Sequence, residues 1–120
     1  MPRYLISFND GDMDFPASEL GAVGAAAHAV MRDAMDAGVW IVGGGFQGFN
    51  PSVVDADGNV TAGPLAESPV HIGGFTVLEV ANRDEAMMWA ARIAKACRCP
   101  QEVREVMTDT EQEDLQRRSR

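Results

Sequence analysis

The chain has 120 residues, 46% of them apolar and 23% charged, which is the size and composition of one globular domain. Its 18 acidic residues outnumber its 10 basic ones and give a net charge of −8. This charge disfavours nucleic acids and anionic membranes, because binding either requires Lys and Arg to neutralise phosphates. No apolar run approaches the roughly 20 residues of a membrane-spanning helix, and no signal peptide is recognisable. We therefore expect a cytoplasmic protein without nucleic-acid or membrane partners.

The first two predicted elements are a strand and a helix. Tyr4, Ile6 and Phe8 recur with a period of two, which predicts a strand with one aromatic-rich face. Ser18 is a candidate N-cap for the helix that follows, and Gly38 suits its C-terminal end because glycine adopts the left-handed conformation easily. The apolar residues of this helix recur at helical spacing and are Leu20, Val23, Ala27, Val30, Met31 and Ala34.

The middle of the chain predicts a buried strand and a hairpin. Residues 39–42 form a short apolar run, and the three glycines at 43–45 predict either a bulge or a close backbone approach. These glycines lack the lysine and hydroxyl residue of a phosphate-binding loop, so we exclude that interpretation. Residues 53–54 and 60–61 flank an Asp-Gly step, which is typical of a tight hairpin.

The last predicted elements are a strand, a helix, a strand and a tail. Residues 75–80 predict the first strand, and Asn82 and Glu85 have the spacing of a capping box for the helix after it. Pro100 ends this helix, and residues 102–107 predict the closing strand. The polar residues after it carry no apolar stripe and are expected to be frayed.

The order of elements, without the hairpin, is βαββαβ. It predicts an α+β ferredoxin-like fold with one antiparallel sheet and an inserted hairpin, formed by residues 1–107, with residues 108–120 as a polar tail. The strands are apolar on both faces, whereas two helices can cover only one face. The second face would be an exposed apolar patch, which usually marks a partner surface or ligand cleft. We therefore expect a homodimer in which two sheets pack face to face.

Residues 57–106 carry a series of short motifs in a fixed order. They are Asp57-Gly58, Gly63-Pro64-Leu65-Ala66-Glu67, Gly73-Gly74-Phe75, Asp84-Glu85-Ala86, Trp89-Ala90-Ala91-Arg92 and Glu102-Val103-Arg104. In this order and spacing the chain resembles the YCII-related (DGPF-type) family. The resemblance implies a dimeric α/β barrel with a small cleft, in a family that includes enzymes and for which a catalytic His–Asp pair has been proposed. The chain departs from the family's signature loop, since Ala62 stands at its aspartate and Leu65 at its phenylalanine.

Three residues are the candidate catalytic groups. His28 lies at the border of the apolar stripe on the first helix, where an imidazole can reach a cleft and act as a general acid or base. His71 lies at a loop-to-strand junction, and Glu67 matches the family's loop glutamate. A hydrogen-bonded helix-edge histidine and an exposed loop histidine are the structural alternatives for His28 and His71.

We expect neither a metal nor an organic cofactor. Cys97 and Cys99 are the only cysteines, and a disulfide between residues this close would be strained. A zinc site usually needs four ligands, and His28 and His71 would have to come from distant parts of the chain.

Two functions remain open on the sequence. The first is an enzyme that transfers protons on a small polar organic substrate, in an elimination, isomerisation or hydrolysis, with His28 as acid or base and His71 or Glu67 assisting. The second is a non-catalytic homodimeric module that binds a small-molecule ligand, which the loss of the loop carboxylate at Ala62 favours.

Overall fold

The computed structural model of the chain describes residues 1–48, 50–65, 68 and 70–119. Its strands are β1 (Arg3–Asn9), β2 (Trp40–Gly45), β3 (Ser52–Val54), β4 (Val60–Ala62), β5 (Ile72–Glu79) and β6 (Glu102–Glu105). Its α-helices are α1 (Leu20–Asp36), α2 (Arg83–Cys97) and α3 (Thr110–Arg118). Within the described ranges, none of the helices combines the length and hydrophobicity that crossing a bilayer requires.

The main sheet has the strand order β2-β5-β1-β6, and each neighbouring pair is antiparallel. With α1 and α2 as the two crossover helices, this is the ferredoxin-like βαββαβ arrangement, so the predicted fold class is confirmed. Strands β3 and β4 pair only with each other, as a separate hairpin inserted between β2 and β5. The predicted hairpin is therefore also confirmed.

The core lies between the two crossover helices and one face of the sheet. Tyr4 faces Leu78 across the β1–β5 pair, and both side chains are almost fully buried because the pleat directs them towards the helices. On the helix side the buried residues of α2 are mainly small, which lets the helix approach the sheet closely. The buried core cluster consists of Tyr4, Ile6, Ala34, Val39, Leu78, Val80, Ala86, Trp89 and Ala90.

The opposite face of the sheet carries an apolar patch, bordered by charged residues such as Arg3, Glu79 and Arg104. Leu5 and Val77 are directly opposite each other in β1 and β5, and the pleat turns them away from the helices. Phe75 continues this face and stacks on Phe46, with ring centroids 5.7 Å apart. Val42 on β2 is 49% exposed. We call Leu5, Val42, Phe46, Phe75 and Val77 the open face, because they lie on the side of the sheet away from α1 and α2.

Strand β2 differs from its prediction. The strand does not break at the glycines but continues through them, with Gly44 opposite Phe75 and the irregularity lying between Trp40 and Val42. A Cβ at Gly43 would lie 2.8 Å from the carbonyl oxygen of Phe75 and 2.9 Å from the ring of Trp40. Of the two interpretations of these glycines, the close backbone approach is therefore correct at Gly43.

The start of α1 also differs from its prediction. Ser18 does not cap the helix but lies within a short 3₁₀ turn (Ala17–Glu19) that leads into it. Glu19 occupies the N-cap position without a side-chain hydrogen bond to the helix. The predicted end is confirmed, since Gly38 has φ +75° just beyond the last helical turn.

The polar C-terminal segment is not frayed throughout. Residues 110–118 form α3, and the side chain of Asp109 accepts a hydrogen bond of 3.0 Å from the backbone N–H of Gln112. This helix has no buried residue. A local cap and acidic residues in the first turn favour a helix even where no apolar stripe is present. The apolar pattern alone therefore does not predict α3.

The predicted capping box of α2 is confirmed and gives a stability prediction. The Asn82 side chain accepts a 2.9 Å hydrogen bond from the Glu85 N–H, and the Glu85 carboxylate accepts one of 3.1 Å from the Ala81 N–H. We expect Asn82→Ala to lower the free energy of unfolding by about 1 kcal/mol, because one helix-end donor loses its partner. Urea unfolding would measure this, with Asn50→Ala at an exposed position as the control. Equal losses in the two variants would contradict the capping role.

Candidate functional site

A cavity of about 380 Å³ lies between the helices and the main sheet. We call it the helix–sheet cavity. Its walls are mostly apolar, and the residues that form them include Phe8, Val30, Met31, Trp40 and Ile93. This size and composition are typical of sites for small organic molecules, which need apolar walls and a few placed polar groups.

Glycines in β2 and β5 make room for this cavity. The ring of Phe8 lies against Gly74, where an added Cβ would be 2.5 Å from the ring. The ring of Trp40 lies against Gly43, where an added Cβ would be 2.9 Å from the ring. Both aromatic rings can therefore lie over positions where side chains would otherwise stand. Beside these rings, the sheet side of the cavity includes bare backbone along Gly43, Gly44 and Gly45.

His28 lines the mouth of the helix–sheet cavity. It is exposed on α1 but belongs to the cavity wall, next to the partly buried Ala27 and Met31. A side chain in this position can contact both solvent and a bound molecule. Imidazole is the side chain that most readily exchanges a proton near neutral pH, so the location suits the predicted acid or base. The catalytic role itself stays a prediction.

Three further polar residues line the same cavity and were not predicted as catalytic residues from the sequence, where Cys97 was considered only for a disulfide or a zinc site. They are Thr76, Cys97 and Gln101. Thr76 was recognisable in principle, since it is the polar residue of an apolar strand at a position whose pleat faces the helices. Gln101 follows Pro100 in the short link to β6, and no local sequence pattern identifies it as a residue of a binding site.

The thiol of Cys97 is not an activated nucleophile. Burial raises its pKa, so the thiol is protonated at neutral pH and the reactive thiolate is disfavoured. Burial also raises the pKa of Cys99, helped by the nearby Cys97 and Asp12. Among the described residues that line the helix–sheet cavity, none is Asp, Glu, Lys or Arg. The cavity therefore offers neutral hydrogen-bonding groups and one imidazole.

His71 lies at a different cavity. This second cavity, which we call the loop cavity, has a volume of about 370 Å³ and is lined by Asp10, Gln47 and Asn50 as well as His71. The backbone N–H of Asp10 donates a 2.8 Å hydrogen bond to the carbonyl oxygen of His71, which ties the two loops together. Within one copy of the chain, His28 and His71 thus line two different cavities, and the assisting role of His71 stays a prediction.

The remaining sequence candidates lie around the signature loop. Glu67 lies outside the described residues, so its predicted role stays untested. Ala62 ends β4 and is exposed, and Leu65 is 64% exposed. In the turn after β1, Asp12 accepts a 3.0 Å hydrogen bond from the backbone N–H of Asn9 and so stabilises that turn. No group of three or more His, Cys, Asp or Glu in the described part of the chain is arranged to hold a metal ion.

The fold and the site define a class of protein. A four-stranded antiparallel βαββαβ sheet, with a mostly apolar cavity under its two helices, is a small ferredoxin-like α+β domain with a potential ligand site. Comparison with protein families matches residues 3–108 to the YCII-related domain. The chain therefore belongs to the YCII-related family, as its motifs predict. A comparison with curated proteins found no match.

Proposed function

We propose that this protein is a small-molecule enzyme that works as a homodimer and uses His28 for acid–base chemistry at the helix–sheet cavity. The observation that carries the proposal is an imidazole at the mouth of a mostly apolar cavity that no carboxylate, lysine or arginine lines among the described residues. Proton transfer by such a group contributes typically about 10²- to 10⁴-fold to a rate. The reaction would be an elimination, isomerisation or hydrolysis that needs no other reactive group.

The lining of the cavity favours an uncharged substrate. An anionic substrate would lose its hydration on entry without gaining a guanidinium or ammonium partner, and that cost is large for a buried charge. Thr76 and Gln101 can instead hydrogen-bond a hydroxyl, carbonyl or amide group. The substrate class is therefore a neutral, largely apolar molecule with one or two such groups.

The open face supports the proposed homodimer. Leu5, Phe75 and Val77 form an apolar patch on the sheet, and Val42 and Phe46 extend it with side chains that are 49% and 56% exposed. A contiguous apolar patch of this kind usually marks an interface. Packing of two open faces against each other would remove both patches from water at once.

The second candidate function is a non-catalytic ligand-binding module with the same dimer. The observation that favours it is Ala62, which stands where the family's signature loop has an aspartate and can neither accept nor relay a proton. In this alternative the helix–sheet cavity binds the same class of molecule, and His28 only donates or accepts a hydrogen bond.

Solvent deuterium exchange distinguishes the two functions. A panel of neutral hydroxy and carbonyl compounds of cavity size would be incubated with the protein in D₂O and followed by proton NMR. We expect the protein to bind members of the panel, to shift amide resonances of Gly43, Thr76 and Gln101, and to accelerate exchange of an acidic C–H proton. Binding with neither accelerated exchange nor hydrolysis of an ester included in the panel would favour the module, and shifts confined to the loop cavity would contradict the proposed site.

A further inference from the structure

Two parts of the chain project from the main body of the protein. One is the β3–β4 hairpin, which forms a sheet of its own. The other is the segment formed by residues 106–118, which we call the C-terminal arm and which contains α3. No residue of β3, β4 or α3 is buried. Neither element therefore belongs to the hydrophobic core of the copy that carries it.

Neither element is expected to be stable without packing against another part of the protein. An isolated helix shorter than about 12 residues is marginal in water, and so is an isolated two-stranded hairpin. Local hydrogen bonds help both: Asp109 caps α3, and the Asp55 carboxylate accepts bonds of 3.0 and 2.9 Å from the N–H groups of Asp57 and Asn59 in the hairpin turn. Such bonds give only about 1 kcal/mol each, so both elements need packing from elsewhere.

Both elements expose large apolar side chains. Met107 is 90% exposed, and Leu115 on α3 is 56% exposed. Val54 and Val60 face each other across the hairpin and are 64% and 69% exposed. A single exposed apolar residue on a surface needs no explanation. Exposed apolar side chains also occur elsewhere, for example Leu20 and Met88 on the crossover helices, but these four belong to elements that have no buried residue of their own.

The solvent-accessible surface of one copy is larger than that of a compact monomer of the same mass. One copy exposes 8472 Å², whereas a compact monomer of its mass exposes about 6,300 Å². The radius of gyration is 16.3 Å, against about 14 Å for a compact chain of this length. The excess of about 2,000 Å² is within the area that each copy buries in an obligate homodimer, about 1,000–2,500 Å².

We infer that the β3–β4 hairpin and the C-terminal arm are interface elements that each copy of the chain packs against a second copy. The arm leaves the body at the edge of the open face: the N–H of Val106 donates a 2.8 Å hydrogen bond to the carbonyl of Arg3, next to Leu5 on β1. Val106 lies on the same side of the sheet as Leu5, with Arg3 and Arg104 between them, so the arm starts beside the surface that the proposed homodimer buries. The inference rests on that homodimer and adds two elements to its interface.

Hydrogen exchange at two protein concentrations tests this inference on the full chain. At a concentration where sedimentation shows a dimer, we expect amides of α3 and of the hairpin to be protected, and dilution to monomer to speed their exchange at least about tenfold. Amides of β1 and β5 should stay protected at both concentrations, because their hydrogen bonds lie within one copy. Protection of α3 and the hairpin that does not depend on concentration would overturn the inference.

A variant tests the arm independently. We expect Met107→Ser with Leu115→Ser to raise the dimer dissociation constant at least about tenfold, because two large apolar side chains no longer gain from burial. The matched control carries Thr108→Ser and Gln116→Ser at neighbouring exposed positions. An unchanged dimer with an unprotected arm would overturn the inference and leave the open-face dimer standing, whereas a monomer at every concentration would overturn both.

Discussion

Replacement of His28 by alanine is expected to lower kcat/KM for a substrate of the helix–sheet cavity by about 10²- to 10⁴-fold. The reason is that His28 is the lining side chain suited to proton transfer: the described lining has no carboxylate, and burial keeps the Cys97 thiol protonated. Binding should change much less than turnover, because the apolar walls and Thr76 remain. The measurement is steady-state kinetics, with the ligand dissociation constant determined separately.

His71→Ala is the matched control for this experiment. It removes the chain's other histidine, which lines the loop cavity rather than the helix–sheet cavity. We expect a smaller loss of kcat/KM than in His28→Ala. Unchanged turnover in the His28→Ala variant would contradict the proposed mechanism, whatever effect the substitution has on ligand binding.

Gly43→Ala is expected to lower the free energy of unfolding by about 1–3 kcal/mol, the usual cost of overpacking. The new methyl group would lie 2.8 Å from the Phe75 carbonyl oxygen and 2.9 Å from the Trp40 ring. The carbonyl belongs to the neighbouring strand and cannot move without disturbing the β2–β5 pairing, so the ring must shift as well. Because Gly43 and Trp40 both line the helix–sheet cavity, ligand binding should weaken together with stability.

Gly44→Ala is the control for this prediction, one residue further along the same strand. A Cβ at Gly44 would meet no atom within 4 Å, so we expect little change in unfolding free energy. Urea unfolding of the two variants gives the comparison directly. If Gly44→Ala cost as much as Gly43→Ala, the effect would come from strand propensity rather than from the close approach, and the argument for the glycine-lined cavity would fail.

The sequence predicts most of the fold because its signals are local. The period-two pattern at Tyr4 and Ile6, the capping box at Asn82 and the Asp-Gly step of the hairpin each depend on a few neighbouring residues, and each is confirmed. The errors occur where a contact between residues distant in the sequence determines the local structure. The strand continues through Gly43 because β5 pairs with it, which no property of residues 43–45 alone reveals.

The candidate site is predicted less completely for the same reason. His28 could be placed at a helix border from the spacing of apolar residues, and the structure puts it at a cavity. Gln101 and Phe8 reach that cavity only because β6 and β1 are neighbours in the sheet. Sequence spacing also gave no means to see that His28 and His71 line different cavities, since that depends on where the β2–β3 link runs.

The bare backbone on the sheet side of the helix–sheet cavity has a consequence for how specificity can diverge. Main-chain amides along Gly43, Gly44 and Gly45 are the same whatever the surrounding sequence, and Gly43 leaves no space for a larger residue. Mutation can therefore alter the chemical preferences of this site at its side chains, such as Phe8, Met31 and Ile93, and at Gly45, where an added Cβ would meet only an ordinary contact at 3.9 Å, but not at Gly43. Descendants of this chain would keep the backbone surface at Gly43 and acquire new ligands by exchanging the side chains around it.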